Sequence, residues 1–395
     1  MKKILILLLA ISLFLITSCS KPIKFERIEK VNDGFHKIDE AEKIGDGIIY
    51  YSGDKLLYDK DNVTAELADN VKSLWRENND IYYDSNNILY KYSFETNETT
   101  EIVEKPYNIL GKYNDNIISY HARTVYSING TAKAKLFENG YYLNKAILYD
   151  GKIYGIPASN IYEYNIDTLE VKKITDNPEM SYFKIIEGEL YIITLENKKD
   201  KKNYTYSKLT DNKLEKVFTI EDIESITEEK PIKEGMFIST SKASGDSVNG
   251  NQLLYIQGEK IKKVDTDHSY NIVGLIDNKL CYYKNKYNYG TYENNLSSFY
   301  LYDGKDSTKA FDLDVGFFEN ITGYEYEGGL LIEVAYESST IIYKYDGKEV
   351  KKLQTPDCFY RIINLDVIDN KAYISYSDGE ESMMRLGTII NLDLS

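Results

Sequence analysis

Asn79-Asp80-Ile81-Tyr82-Tyr83-Asp84, followed by Asn86-Asn87-Ile88-Leu89-Tyr90-Lys91-Tyr92, is the stretch on which the reading of the fold turns. Two short runs rich in Ile, Leu and Tyr are joined by Asn residues. β-Branched and aromatic side chains suit a pleated, half-buried strand, and Asn, Asp and Gly tolerate the positive φ of a tight hairpin turn. The same pattern lies on either side. Asp46-Gly47-Ile48-Ile49-Tyr50-Tyr51 precedes Asp54-Lys55-Leu56-Leu57-Tyr58, and Asp150-Gly151-Lys152-Ile153-Tyr154 precedes Asn160-Ile161-Tyr162-Glu163-Tyr164. Later copies are Gly188–Ile192, Asn278–Tyr283, Leu330–Ile332 with Ile341–Tyr345, and Asn370–Tyr376. The tetrad Tyr-Asp-Gly-Lys recurs at Tyr149–Lys152, Tyr302–Lys305 and Tyr345–Lys348.

The copies start near Ile48, Ile81, Ile117, Ile153, Leu190, Met236, Leu280, Leu330 and Ala372, at intervals of 33 to 50 residues. A unit of that length with several short strands cannot bury both faces alone and must stack on its neighbours. The expectation is an all-β chain, a β-propeller of four-stranded antiparallel blades. Nine hairpins exceed the usual range of about four to eight blades. The third, Asn116 to Ile128, is the weakest and reads as an overcount or a decoration. Eight blades are therefore expected, with seven or nine left open. The last copy lacks an outer strand after Leu394, and Lys24–Glu29 is expected to supply it and close the ring. Ile220, Ile223 and Ile226 are spaced as on a helix, although a loop between blades explains them equally well. Lys198–Tyr206, Ala243–Gly250 and Tyr287–Asn295 read as polar inserts within hairpins, all projecting from one rim.

The Ile-Tyr-Tyr copies at Tyr50-Tyr51 and Tyr82-Tyr83 resemble degenerate forms of the Tyr-Trp-Thr-Asp repeat of propellers of the low-density-lipoprotein-receptor type. Bacterial surface lipoproteins with similar propellers, mostly of unknown function, are the family resemblance. It covers about residues 35–395. Trp is absent from every copy, and the single Trp75 lies between copies. The resemblance thus implies a fold and transfers no site residue.

The N-terminus carries an address. Lys2 and Lys3 precede an apolar run, Ile4–Ile16, broken only by Ser12. That run fits a signal-peptide core and falls short of the roughly 20 residues of a membrane span. Ile16-Thr17-Ser18-Cys19 resembles the bacterial lipobox, which implies a diacylglyceryl group on the Cys19 thiol and cleavage before it. The expected organisation is a lipoprotein signal peptide over 1–18, lipidated Cys19 and a tether over 19–34, and a propeller over 35–395. Two or more acyl chains give stable anchoring. The body is thus expected on the extracytoplasmic face of a cell membrane.

The 395 residues include 48 Lys and Arg against 63 Asp and Glu, a net charge of −15. Loss of residues 1–18 removes two lysines and no acid, leaving 46 against 63 and a net charge of −17. Such a chain lacks the basic footprint of a nucleic-acid binder, and it would be tethered to an anionic surface without docking on it. Three Cys exclude a disulfide scaffold. Hydrophobic content of 42% excludes a mostly disordered chain. The 38 Tyr stand out against 13 Phe.

Catalytic motifs are sparse. His36, His121 and His268 are isolated, and Ser-His-Asp chemistry has no local support. Asp59/Asp61, Asp265/Asp267 and Asp312/Asp314 lack the spacing of a calcium loop and read as turn-forming acids. Cys281 and Cys358 read as two separate thiols rather than a disulfide. No metal or cofactor is expected. The candidate binding loop is the insert with Tyr287, Tyr289, Tyr292, Asn294 and Asn295, because Tyr offers apolar area plus a hydroxyl at low entropic cost. Lys198–Tyr204 is a weaker candidate for an anionic partner. The expectation is a monomeric, non-enzymatic scaffold presenting one rim to an extracellular protein, peptide or glycan. The alternatives are a glycosidase or lyase with carboxylates at the propeller axis, and an envelope-assembly factor.

Overall fold

The computed structural model describes Phe25, residues 35–38 and residues 42–393. Within the last span it leaves out 53, 61–62, 139–144, 157–159, 176–179, 187, 199–200, 211–212, 243–249, 286–295, 316–319, 337–338, 354–360, 369–370 and 378–388. Every described element is a strand. The strands form eight consecutive antiparallel sheets of four sequential strands each, the expected blades, and a ninth sheet of three described strands follows. We number the blades in chain order. Blade 1 runs from Glu42 to Ala68, blade 2 from Val71 to Glu104, blade 3 from Asn108 to Glu138 and blade 4 from Ile147 to Thr175. Blade 5 runs from Met180 to Ile223, blade 6 from Ser225 to Thr266, blade 7 from Ser269 to Asp314 and blade 8 from Asn320 to Lys352. The ninth sheet spans Arg361–Asp393.

Within each sheet the strands lie in sequence order, so every internal connection is a hairpin. Local chemistry drives these turns. In blade 2, Asn86 and Asn87 have φ of 54° and 63°, the paired positive values of a turn whose twist matches the flanking strands. The weak third hairpin is no decoration: Asn116–His121 and Thr124–Asn129 are the two central strands of a complete blade. Its tip holds Ala122 at φ 52° where other tips hold Asn or Gly, which is why its turn signal is faint. The segment with helical spacing is strand as well. Ile220 and Ile223 end Lys213–Ile223, Ile226 sits in Ser225–Ile232, and a bulge at Tyr204 shifts the pairing of the former.

Blades stack by burying faces that none can bury alone. Ile44, Ile49 and Leu56 of blade 1 share a core with Leu74, Ile81 and Tyr83 of blade 2. Trp75 and Leu89 of blade 2 meet Ile117 and Ile128 of blade 3, and Ile118 and Val125 of blade 3 meet Ile153 and Tyr164 of blade 4. Tyr154 of blade 4 faces Phe183 of blade 5. The series continues through Tyr206 and Met236, Phe237 and Tyr282, and Cys281 and Ile332 to blade 8. First strands touch first strands between blades 3 and 4, 6 and 7, 7 and 8, and 8 and the ninth sheet, so the first strand of a blade is its innermost. This is a β-propeller.

Of Lys24–Glu29, expected to complete the last sheet, only Phe25 lies among the described residues. It is not in a strand, and its ring is buried between blades 6 and 7. It sits 5.0 Å from Phe237, 5.2 Å from Tyr255 and 5.7 Å from Tyr302. An aromatic ring gains more by filling that cluster than by lying along an exposed sheet edge. Further on, His36–Lys37 pairs with Trp75 and Arg76, adding a short fifth strand to the inner edge of blade 2.

Candidate functional site

The inner strands carry charged residues at the seams between blades, and these define the candidate site. The first strand of blade 7, Ser269–Ile276, has a bulge between Ile272 and Gly274. A bulge takes backbone groups out of the ladder, and two carboxylates from the neighbouring blades take up amides around it. Ile272 N–H donates to Glu228 of blade 6 at 2.6 Å, and Leu275 N–H donates to Glu325 of blade 8 at 2.8 Å. Lys230 of blade 6 reaches the same Glu325 at 3.0 Å. The approach depends on Gly274, where a β-carbon would lie 2.8 Å from the Glu325 Cγ. The inner strand of blade 7 is thus gripped from both sides, and three blades converge on one carboxylate. Burial pushes the Glu228 carboxyl up to about 7, against the opposing pull of the Ile272 amide and Lys230.

Other seams are built alike. Arg76 of blade 2 pairs with Glu42 of blade 1 and donates to the Lys43 carbonyl at 2.5 Å. Glu77 of blade 2 takes Lys112 of blade 3 at 2.6 Å. Glu229 of blade 6 pairs with Lys184 of blade 5 and accepts the Tyr206 hydroxyl at 2.5 Å. Among first-strand carboxylates with described side chains, Glu42, Glu77, Glu228, Glu229 and Glu325 are all engaged across a seam.

Several tyrosines share one design, a ring packed within a blade or seam with its hydroxyl on a carboxylate. Tyr154 donates to Glu163 at 3.1 Å and Tyr324 to Glu333 at 2.7 Å. Tyr270 and Tyr282 of blade 7 both donate to Asp265 of blade 6, at 3.2 and 3.0 Å, beside Lys284 at 2.8 Å. Burial works to raise the Asp265 carboxyl, but Lys284, the Thr266 amide and Tyr282 outweigh it and hold it below the usual carboxylate range. Burial, reinforced by Asp265, raises both tyrosines. Much of the tyrosine excess is therefore structural.

Cys19, and Tyr287, Tyr289, Tyr292, Asn294 and Asn295, lie outside the described residues, as does Cys358. Cys281 is a free, buried thiol in the second strand of blade 7. The basic run is only in part a loop: Glu189–Lys198 and Lys201–Thr210 pair as one long hairpin, with Tyr204 and Tyr206 buried. Alternation in a strand turns these rings inward. Residues 199–200, 243–249 and 286–295 lie outside the described residues; the strands that bracket them are the second and third strands of blades 5, 6 and 7, whose facing ends lie at the same end of the propeller. Of the three histidines, the side chains of His121 and His268 are described, and they lie at separate blades. His121 stacks on Tyr107 in blade 3 with ring centroids 4.3 Å apart, whereas His268 bonds the Thr266 carbonyl before blade 7. Asp312 accepts from Ser298 at 2.6 Å and pairs with Lys309 at 2.7 Å, a local surface arrangement. Among the described residues, no group of three or more His, Cys, Asp or Glu is placed to hold a metal.

The inner-strand carboxylates were missed at the sequence level. Their only signal is charge where a first strand should be apolar, as in Thr227-Glu228-Glu229-Lys230. The fold and its seams define a propeller scaffold. No family profile and no curated protein matches the chain. Among solved structures it is similar to the β-propeller domain of the Trilobed protease from Pyrococcus furiosus, at 14% identity and a TM-score of 0.42, covering 92% of this chain and 97% of that one. It is also similar to Pyrococcus horikoshii acylaminoacyl peptidase, at 12% identity and a TM-score of 0.41, over 82% of this chain and about half of the other, 51%. A third is an oligogalacturonate lyase from Vibrio parahaemolyticus, at 10% identity and a TM-score of 0.38, over 78% of this chain and 97% of that one.

Proposed function

We propose that this chain is a lipid-anchored extracytoplasmic propeller that acts as a non-enzymatic scaffold for a protein, peptide or glycan. The carrying observation is the engagement of Glu42, Glu77, Glu228, Glu229 and Glu325 across seams, where they join blades. Anchoring is supported by the charged start, the apolar run Ile4–Ile16 and Cys19. Binding is supported by the composition of Tyr287–Asn295, which lies between the second and third strands of blade 7 in the sequence. Mass spectrometry of the mature N-terminus should find acylated Cys19. A pull-down with the soluble body from Lys21 onward should recover a partner, and deletion of Tyr287–Asn295 should lose it. A partner retained after that deletion removes the claim for the loop.

The glycosidase or lyase reading keeps one observation in its favour. Glu228 titrates near neutrality at an inter-blade seam, as a general acid would. Turnover of a cell-wall or host glycan that disappears in Glu228→Gln would establish it over the scaffold reading.

A further inference from the structure

Phe25 marks a point on the propeller that the N-terminal chain passes. Its ring contacts Phe237, two residues past the first-to-second-strand turn of blade 6, and Tyr302, which ends at the third-to-fourth turn of blade 7. It also borders a cavity of about 180 Å³ formed by Leu275–Asn278, Tyr326 and Gly328–Gly329. Asp277-Asn278 and Glu327-Gly328 are the first-to-second-strand turns of blades 7 and 8. All of these belong to one end of the propeller. The second strands of blades 5, 6 and 7 finish, and their third strands begin, at the other end, because successive antiparallel strands alternate in direction.

We propose that the propeller is held with the end bearing the first-to-second-strand turns of blades 6 to 8 toward the lipid surface, and the end where the second strands of blades 6 and 7 finish and their third strands begin away from it. The proposal rests on acylation of Cys19 as read above. Cys19 precedes Phe25 by six residues. A chain of that length spans at most about 22 Å when fully extended. The blades are 6 to 8 residues tall at their central strands in this region, which places the far end about 20–25 Å further out. The tether is therefore too short for both ends to sample the membrane equally. Asp277, Glu327, Asp306 and Glu234 are exposed on the near end, interspersed with exposed Lys233, Lys279 and Lys305, so the tether rather than surface charge sets the orientation. The partner for the far end is accordingly one presented from outside the cell.

The test uses the full acylated chain in vesicles of phosphatidylcholine doped with rhodamine-headgroup lipid. Cys358→Ser serves as background, and Cys281 is buried. A donor fluorophore goes on Glu234→Cys at the near end or on Lys201→Cys at the far end, both exposed positions. The expected result is a larger loss of donor emission at 234 than at 201. A flexible Gly-Ser insert after Ser20 should abolish that difference while leaving the protein membrane-bound. Equal or reversed quenching in the chain without the insert, or a difference that survives the insert, overturns the orientation. A separate outcome bears on the anchor: if Cys19→Ala binds vesicles as well as the acylated chain, or the latter fails to bind, the acylation reading falls and takes the orientation with it.

Discussion

Gly323 of blade 8 lies against the backbone of Val273 in blade 7, so closely that a β-carbon at Gly323 would come within 2.0 Å of the Val273 carbonyl oxygen. This close approach lies on the seam between blades 7 and 8, where Glu325 takes the Leu275 amide. The neighbour is backbone, which cannot rotate away as a side chain could. Gly323→Ala should therefore force the two inner strands apart at a cost of about 3 kcal/mol, at the upper end for overpacking. A urea titration should show the lower midpoint, and an unchanged midpoint would mean that the strands are not so closely apposed.

Glu228 makes stability pH-dependent near neutrality. Its folded-state value of about 7 exceeds the ordinary 4.5, so folding disfavours the ionised form. The stabilisation is complete below about pH 4.5 and is lost as pH rises through 7, a difference of roughly 3 kcal/mol at most for a shift of that size. Glu228→Gln keeps an acceptor for the Ile272 amide but cannot ionise. Between pH 5 and pH 8 the variant should lose less stability than the parent in denaturant titrations. Parallel profiles would contradict the assignment.

Phe25 is 1% exposed and meets three aromatic rings. Phe25→Ala should lower unfolding stability by about 3–5 kcal/mol, as for other buried Phe truncations. Phe25→Leu, which refills much of the space, should cost clearly less. A thermal melt on each variant reads this directly, and no loss in the Ala variant would show that the ring is dispensable.

Tyr206 donates to Glu229, which Lys184 also holds. Tyr206→Phe removes the hydroxyl's bonds to Glu229 and Tyr182 at a buried seam and should cost about 1.5–3 kcal/mol. The ring packing on Phe218, at 4.3 Å between centroids, stays in place, so a melt of this variant isolates the hydroxyl.

Cys281 is fully buried, and burial alone raises its thiol well above the usual range. A thiol so protonated is a poor nucleophile. A water-soluble maleimide at pH 8 should leave it unmodified in the folded protein and label it in urea, with peptide mass spectrometry giving the site. Rapid labelling of the folded chain would exclude the buried placement.

The sequence by itself determined the repeat. All nine second strands begin where turn residues meet an apolar run, at Ile48, Ile81, Ile117, Ile153, Leu190, Met236, Leu280, Leu330 and Ala372, and each lies in a strand of the structure. That much is legible because hairpins are made by residues a few positions apart: strand alternation and positive-φ turns are local properties. Where the local signal is blurred, as at the Ala122 tip or between Ile220 and Ile226, only tertiary structure decides that the flanking residues are strands. Tertiary structure alone decided that Phe25 fills the gap between blades 6 and 7, that Glu228 and Glu325 clasp the inner strand of blade 7, and that Tyr270 and Tyr282 share Asp265. These partners lie from 5 to more than 200 residues apart in sequence, and even the nearest pair joins two different blades. What selects them is close packing and the need of buried polar groups for a mate, and neither leaves a pattern along a single strand.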